Sequence, residues 1–200
     1  VERTMTLTSG TVTVASSAFP TSNLVGLWNF DETTGTTAAD SSVSGNDGTL
    51  ASFPVDDSQW VAGKVGGALQ FDGANDVVNV VGYKGVTGTQ SRTTAAWIKT
   101  ADNEGGVLTW GNDAGGQKWS FRTQSGNGTP GGIRTEVNGG YIVSATNVSN
   151  DVWHHVAMVL DNDGTPDVNE MLVYVDGVLE APSASLTEAI NTAVGADVRM

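Results

Sequence analysis

The chain has 200 residues, no cysteine and a net charge of −13 at pH 7. The absence of cysteine excludes disulfides and thiolate metal sites, and the acidic charge with only nine scattered lysines and arginines argues against a nucleic-acid partner. No run of about 18 apolar residues is present, so no membrane span is expected. Glycine is abundant at 26 residues and charged residues make up 16%, which is typical of short strands joined by tight turns.

The first 23 residues are predicted to form a hairpin and a linker. Residues 4–14 alternate around Ser9-Gly10, which is the pattern of two short strands joined by a turn. Residues 15–23 are small and polar and include a proline, as in a linker. Residues 24–200 are then expected to form one domain, because this length suits a single all-β unit.

Ten stretches after Leu24 are predicted to be strands. Clusters of Gly, Asn, Asp and Pro separate them, at the spacing of about 8–12 residues that all-β folds show. No segment has a sustained helical period of apolar residues. The pattern predicts an all-β, antiparallel β-sandwich of the jelly-roll type. The predicted strands are 24–30, 67–71, 77–81, 93–99, 106–110, 118–122, 132–137, 140–146, 152–160 and 170–181.

Two of the turns have a specific chemistry. Asp176-Gly177 separates two alternating apolar runs, and such a pair favours the positive φ angles of a two-residue hairpin. Asn138-Gly139-Gly140 occupies the same position between two other predicted strands. Both sites are predicted to be hairpin turns.

The only two histidines of the chain, His154 and His155, are adjacent in the predicted strand 152–160. Neighbouring residues of a strand point to opposite faces, so the two side chains cannot ligate one metal ion together. Both faces of the strand are otherwise apolar, which predicts a central strand covered on both sides. We therefore interpret the histidines as structural, with a backbone or carboxylate partner for the buried ring.

Five stretches occur in the order and spacing of a known family, and together they cover most of residues 24–200. They resemble the laminin-G-like domains of the concanavalin A-like lectin/glucanase superfamily, in the form common in large secreted bacterial proteins. The resemblance implies a jelly-roll sandwich in an extracellular or cell-surface protein with other domains in its parent chain. The stretches are "LVGLWNFDETTGTTAADSSVSGNDGTL" (24–50), "GKVGGALQFDGANDVVNV" (63–80), "TTAAWIKT" (93–100), "DVWHHVAMVLD" (151–161) and "LVYVDGVLEA" (172–181).

The end of the chain departs from this resemblance. Family members usually continue with a strand pair after a segment like "GADVRM", whereas this sequence stops at Met200. We expect that the last strand is either lacking, because the chain is a fragment, or replaced by the hairpin at 4–14. An unfilled position would leave an exposed sheet edge, which proteins tend to avoid.

Oxygen-rich loops predict a structural calcium ion. Calcium takes six to eight oxygen ligands from carboxylates, amides and carbonyls, and the resemblance implies that loops such as "FDGANDV" are donors. The alternative is that Asp and Asn are present because their side chains bond to the backbone of turns. The candidate ligands are Asp31, Asp40, Asn46, Asp47, Asp72 and Asp76.

A saccharide is the predicted ligand, since aromatic rings and planar polar groups together hold sugars. In the strand 118–122, Trp119 and Phe121 share one face while Lys118, Ser120 and Arg122 share the other, and either face could line the site. Aromatic residues of a sandwich are more often core, and Trp28, Trp60, Trp97 and Trp153 are assigned there. The candidate binding residues are Trp110, Trp119, Arg122, Arg134 and Tyr141.

Catalysis is not expected. Glycosidases of the resembled superfamily carry the pattern E-x-D-x-E on one strand, and no two glutamates of this chain are four residues apart. The favoured function is a non-catalytic carbohydrate-binding module that recognises a glycan or a cell-surface protein. Two alternatives are an adhesion or spacer module without a sugar site and, less favoured, a glycan-cleaving enzyme.

Overall fold

The computed structural model describes residues 22–200, and the hairpin predicted at 4–14 lies outside them. Fifteen strands and one turn of 3-10 helix (Val168–Glu170) make up its regular structure within this range. The strands are β1 (Thr37–Ala38), β2 (Gly48–Ala51), β3 (Trp60–Ala62), β4 (Gly67–Leu69), β5 (Val77–Val80), β6 (Arg92–Lys99), β7 (Gly106–Gly111), β8 (Lys118–Gln124), β9 (Gly132–Glu136), β10 (Tyr141–Asn147), β11 (Trp153–Leu160), β12 (Met171–Val175), β13 (Val178–Glu180), β14 (Ala184–Leu186) and β15 (Ala196–Arg199).

Two antiparallel sheets form the body of the domain. The larger has nine strands in the order β1-β2-β5-β15-β7-β8-β9-β10-β14, and the smaller has four in the order β13-β12-β11-β6. A separate pair, β3 and β4, completes the described strands. The prediction of an all-β, antiparallel β-sandwich is confirmed.

The core lies between the two sheets because the side chains of each strand alternate between a buried inner face and a more exposed outer face. Trp119 and Phe121 of β8 are fully buried from the large sheet, and Val156 and Met158 of β11 are fully buried from the small one. These side chains belong to one apolar cluster. The residues between them along each strand therefore face outwards.

Both predicted hairpin turns are present. Asp176 and Gly177 have φ angles of 50° and 78° and join β12 to β13. Asn138 and Gly139, with φ angles of 56° and 92°, lie in the turn between β9 and β10. Positive φ at both central residues matches the right-handed twist of the flanking strands.

One predicted strand is corrected, and five short strands were not predicted. Residues 24–30 form an isolated bridge from Trp28 to Asp40 rather than a strand. The short strands β1, β2, β3 and β14 were not predicted, since each has at most four residues and carries little periodicity. The segment just before Met200 was not predicted either: it forms β15, which pairs with both β5 and β7 in the middle of the large sheet, and Met200 exchanges backbone hydrogen bonds with Val78.

Candidate functional site on the outer face of the large sheet

The outer face of the large sheet carries a continuous line of polar side chains. The register places one residue from each of six neighbouring strands directly opposite the next. At about 4.8 Å between strands, the line extends roughly 24 Å across the sheet. We call this line the polar row. Its members are Asn79, Arg199, Thr109, Ser120, Glu136 and Tyr141.

Two arginines meet one carboxylate beside the polar row. Arg122 of β8 and Arg134 of β9 face each other across the strands, and each places a guanidinium nitrogen 3.0 Å from Oε2 of Glu136. Their side chains are 28% and 10% exposed, so Arg134 is almost buried although it faces away from the core. Burial of the guanidinium, with the Arg122 charge nearby, holds the pKa of Arg134 below its usual value despite the opposing effect of Glu136.

Tyr141 lies against this pair of arginines. The guanidinium carbon of Arg134 is 3.9 Å from the centre of the Tyr141 ring, which is the geometry of a cation–π contact. The loop between β8 and β9 covers the sheet next to it. At Gly128 a side-chain carbon would lie 3.4 Å from Cβ of Val143 and 2.7 Å from Oγ of Ser183, so the glycine permits the close approach of this loop. The loop thus forms a wall at one side of the site.

An open depression of about 370 Å³ adjoins the other side of the polar row. Thr109 and Arg199 of the row line it together with Lys118. The carboxylates in its lining are paired: Asp113 lies 3.1 Å from Nζ of Lys118, and Asp197 accepts the backbone N–H of Gly82 at 3.0 Å. The hydrogen bonds from Lys84 and Gly82 hold the pKa of Asp197 below its usual range, which favours its charged form.

The structure separates the five predicted ligand-binding residues into two groups. Arg122, Arg134 and Tyr141 are brought together on the outer face. Trp110 and Trp119 are not, because they point into the core, where they are 5% and 0% exposed. Trp119 donates its indole N–H to Oγ1 of Thr94 and stacks on Trp110, so the prediction that these tryptophans form a sugar platform is corrected.

Apart from Tyr141, the members of the polar row were not among the predicted binding residues: Glu136, Ser120, Thr109, Arg199 and Asn79 were missed. Glu136 follows Arg134 by two residues, which places both on one face of a strand, and this spacing was the available signal. Thr109 and Ser120 had no such signal, since their alignment depends on the register between two strands, and Asn79 is aligned by pairing with the distant strand β15.

The six predicted calcium ligands fall into three places rather than one. Asp40, Asn46 and Asp47 share a turn, in which Asp40 Oδ2 accepts the N–H of Asn46 at 2.8 Å and Asp47 Oδ1 accepts the N–H of Asp40 at 2.8 Å. A second group is Asp72 and Asp76, which cap one loop through the backbone N–H groups of Ala74, Asn75, Asp76 and Asp72. The third is Asp31, whose Oδ1 accepts the N–H of Gly67 at 2.7 Å.

The carboxylate of Asp40 is not free to ligate a calcium ion. Both oxygens of Asp40 are already engaged: Oδ1 accepts the N–H groups of Leu27 and Ser42, and Oδ2 accepts Asn46 and the Ser42 hydroxyl. Burial alone would raise the pKa of Asp40, but these hydrogen bonds together lower it. Between residues 22 and 200, no three acidic or histidine side chains come close enough to hold a metal ion. The turn-forming role that was the alternative accounts for the contacts of these residues.

The two histidines lie on opposite faces of β11, the second of the four strands in order from β6. His154 is held between Asp176 Oδ2, 2.8 Å from Nδ1, and Asn150 Oδ1, 3.2 Å from Nε2. The carboxylate also accepts the backbone N–H of His155. Burial alone would raise the pKa of Asp176, but the hydrogen bonds from His154 and from the His155 amide lower it. The histidine thus fixes the β12–β13 turn to the neighbouring strand.

The outer face of the small sheet is more exposed to solvent than we predicted from the sequence. Trp97, which was assigned to the core, is 43% exposed, and its ring meets that of His155 at a centroid distance of 5.3 Å. Nζ of Lys64 lies 5.8 Å from the Trp97 ring centre. Leu172 and Leu179 on the same sheet are 39% and 53% exposed. The prediction that β11 is covered on both sides is therefore wrong.

The fold and the outer-face site define a class: an antiparallel β-sandwich that presents an open polar face on its larger sheet. A laminin G family model, described as concanavalin A-like lectin/glucanases superfamily, matches residues 71–199. Because the match covers more than half of the chain, the protein belongs to this superfamily. No similar sequence was found among curated proteins.

Two solved structures are similar. Domain 4 of AbnA, an extracellular GH43 arabinanase from Geobacillus stearothermophilus solved with arabinotriose, superposes with a TM-score of 0.57 at 17% identity and covers 88% of this chain and 89% of that one. The binding domain of Paraclostridial Mosquitocidal Protein 1 has a TM-score of 0.46 at 10% identity, covering 85% of this chain and 47% of that one. In residues 22–200, no helix has the length and apolar character needed to cross a bilayer.

Proposed function

We propose that this protein is a non-catalytic carbohydrate-binding module of a secreted or cell-surface bacterial protein, and that the polar row is its binding site. The observation behind the proposal is the row itself, which aligns hydroxyl, amide, carboxylate and guanidinium groups beside the ring of Tyr141. Sugars are held by an aromatic surface together with a few well-placed polar groups. An open face that crosses several strands suits an extended oligosaccharide.

The comparisons support the ligand class. The superfamily includes lectins by its description, and the arabinanase domain was solved with a bound trisaccharide. At 17% identity, the similarity of the two domains shows only that they share a fold. Arabinotriose is therefore a reasonable first ligand to test, and a broader glycan panel is needed beside it.

The carboxylates of the face support a non-catalytic role. Glycoside hydrolysis by a retaining or inverting enzyme uses two carboxyl groups, one of which must hold a proton as the general acid. On this face Glu136 contacts two arginines, and Asp113 and Asp197 each contact a lysine. The hydrogen bonds from Lys84 and Gly82 lower the pKa of Asp197 and favour its ionised form, so Asp197 is not suited to donate a proton.

A second candidate is an adhesion module that binds protein. The open face of the small sheet favours it, because Trp97, Leu172 and Leu179 are exposed there. Exposed apolar residues gathered on one surface mark protein contacts. We place this candidate second, since the polar row provides a more specific set of groups.

The test is a pair of matched tyrosine variants measured by glycan array and calorimetric titration. Tyr141→Ala removes the ring at the polar row, and Tyr174→Ala removes a half-buried ring from the small sheet. We expect Tyr141→Ala to weaken glycan binding about tenfold or more, equivalent to about 1.4 kcal/mol, and Tyr174→Ala to leave it unchanged. Thermal melting of both variants controls for loss of the fold. An empty array, or equal effects of the two variants, would contradict the proposed site.

A further inference from the structure

The outer face of the large sheet gathers positive charge in an otherwise acidic protein. The chain has nine lysines and arginines against 22 aspartates and glutamates. Four of the nine, namely Lys118, Arg122, Arg134 and Arg199, project from this one face, as the strand register requires. The same face carries the carboxylates of Glu136, Asp113 and Asp197, so cations and anions are nearly balanced there, whereas the chain as a whole is acidic.

The arginine cluster beside the polar row is not neutral. Arg122 and Arg134 share a single oxygen of Glu136, so one carboxylate balances two guanidinium groups and one positive charge remains. Nε of Arg134 is buried and has no hydrogen-bond partner in the described residues. A buried charge without full compensation is unfavourable, and an added anion would relieve it. The lowered pKa of Arg134, caused first by its burial, reflects the same cost.

The surroundings of Arg122 leave room for a ligand. Gly106 of β7 lies directly opposite Arg122, and a side-chain carbon built on it would meet no atom within 4 Å. Arg122 also uses one terminal nitrogen to donate to the backbone carbonyl of Thr123 at 3.1 Å, which fixes the direction of its guanidinium plane. The guanidinium group of Arg122 is thus held at the edge of an open space.

We propose that the saccharide bound at this face is acidic and carries a carboxylate, as a uronate does, and that Arg122 and Arg134 receive that carboxylate. The inference rests on the proposed carbohydrate-binding function and specifies its ligand class. A planar guanidinium matches a carboxylate in shape and donates paired hydrogen bonds to it. Glu136 shows that both arginines can reach one carboxylate oxygen.

The experiment uses a panel of uronate oligosaccharides, each paired with its methyl ester, so that only the charge differs within a pair. Calorimetric titration at low ionic strength should show binding of an acid form and binding at least about tenfold weaker for its ester, because hydrogen bonds to charged groups are the stronger ones. Added salt should weaken binding of the acid and leave the ester unaffected, since salt screens exposed charges.

Matched variants assign the effect to the cluster. Arg122→Gln should weaken binding of the acid form about tenfold or more and weaken binding of the ester much less. Lys99→Gln removes the same charge from the small sheet, where the side chain is 45% exposed, and should have no effect. Arg122 is the better position because it is more exposed than Arg134, and thermal melting checks the fold of each variant.

The outcomes separate this inference from the proposed function. Binding of neutral glycans or esters as tight as binding of the acids would overturn the inference and leave carbohydrate binding intact. Failure of every acidic and neutral glycan to bind would overturn both. Equal weakening by Arg122→Gln and Lys99→Gln would also overturn the inference, because the effect would then come from net charge rather than from this cluster.

Discussion

The guanidinium of Arg134 lies over the ring of Tyr141, with its central carbon 3.9 Å from the ring centre. The two residues are diagonal neighbours on adjacent strands, offset by two residues, because Tyr141 pairs with Glu136 and Arg134 pairs with Val143. The contact holds the tyrosine against the sheet and leaves Arg134 only 10% exposed in its side chain. Contacts within the protein therefore fix the positions of these two side chains on the candidate binding face.

The coupling of Arg134 and Tyr141 is measurable in a double-mutant cycle. We expect Arg134→Met to lower the free energy of unfolding by about 2 kcal/mol, because it removes a largely desolvated cation–π contact and an ion pair with Glu136. In the double variant with Tyr141→Leu, the loss in free energy of unfolding should be smaller than the sum of the two single losses. The expected coupling is about 1 kcal/mol. Urea unfolding of the four proteins provides the values. Strict additivity would mean that the contact contributes nothing.

Trp119 should affect stability and not ligand binding. Trp119→Phe loses volume in the core and leaves Thr94 without its indole partner, so we expect a loss of about 2–3 kcal/mol in the free energy of unfolding. Glycan affinity, measured below the unfolding transition, should equal that of the unsubstituted protein. A folded Trp119→Phe protein with lost affinity would restore the aromatic-platform interpretation of the sequence.

Asp40 should make stability depend on pH in the acid range. Its pKa in the folded protein lies below the ordinary 3.8, so its contribution is present above that value and is lost as the pH falls through the folded pKa. Asp40→Asn should cost about 2 kcal/mol at pH 7, since an amide cannot accept from all four donors. The difference from the unsubstituted protein should shrink below pH 3.8. The exposed Asp161→Asn is the control, and a difference that persists in acid would contradict this account.

Removal of divalent cations tests the calcium prediction made from the sequence. The carboxylates of Asp31, Asp40 and Asp72 already accept backbone N–H groups, so EDTA should leave the melting temperature unchanged. Thermal unfolding with added calcium and with EDTA is the measurement. A fall of several degrees in EDTA would show that a bound cation stabilises the native state by mass action, and would establish the site that the sequence predicted.

Strand β8 shows which features of the structure could be predicted from the sequence. Its alternation correctly placed Trp119 with Phe121 on one face and Ser120 with Arg122 on the other, because side chains of a strand alternate with a period of two. Which face is core depends on where the second sheet packs, and alternation carries no information about that. The tryptophans were therefore placed in the site, whereas the structure buries them.

The polar row shows what the sequence could not provide. Four of its six strands, β7 to β10, follow one another in the chain, but β5 and β15 join them from distant segments, so the complete line appears only once the register is known. Arg199 belongs to β15, which lies between β5 and β7 although more than 80 residues separate it from either. In contrast, the Asp176-Gly177 turn was predictable, because positive φ is a local demand on residue type.

The most direct test of the central claim is a titration of isotope-labelled protein followed by amide chemical shifts. The ligand is the saccharide that binds best in the glycan panel. We expect the shifts to concentrate on the strands of the polar row, around Ser120, Glu136 and Tyr141. Shifts confined to the small sheet around Trp97 and His155 would contradict it and would move the binding surface to the opposite side of the sandwich.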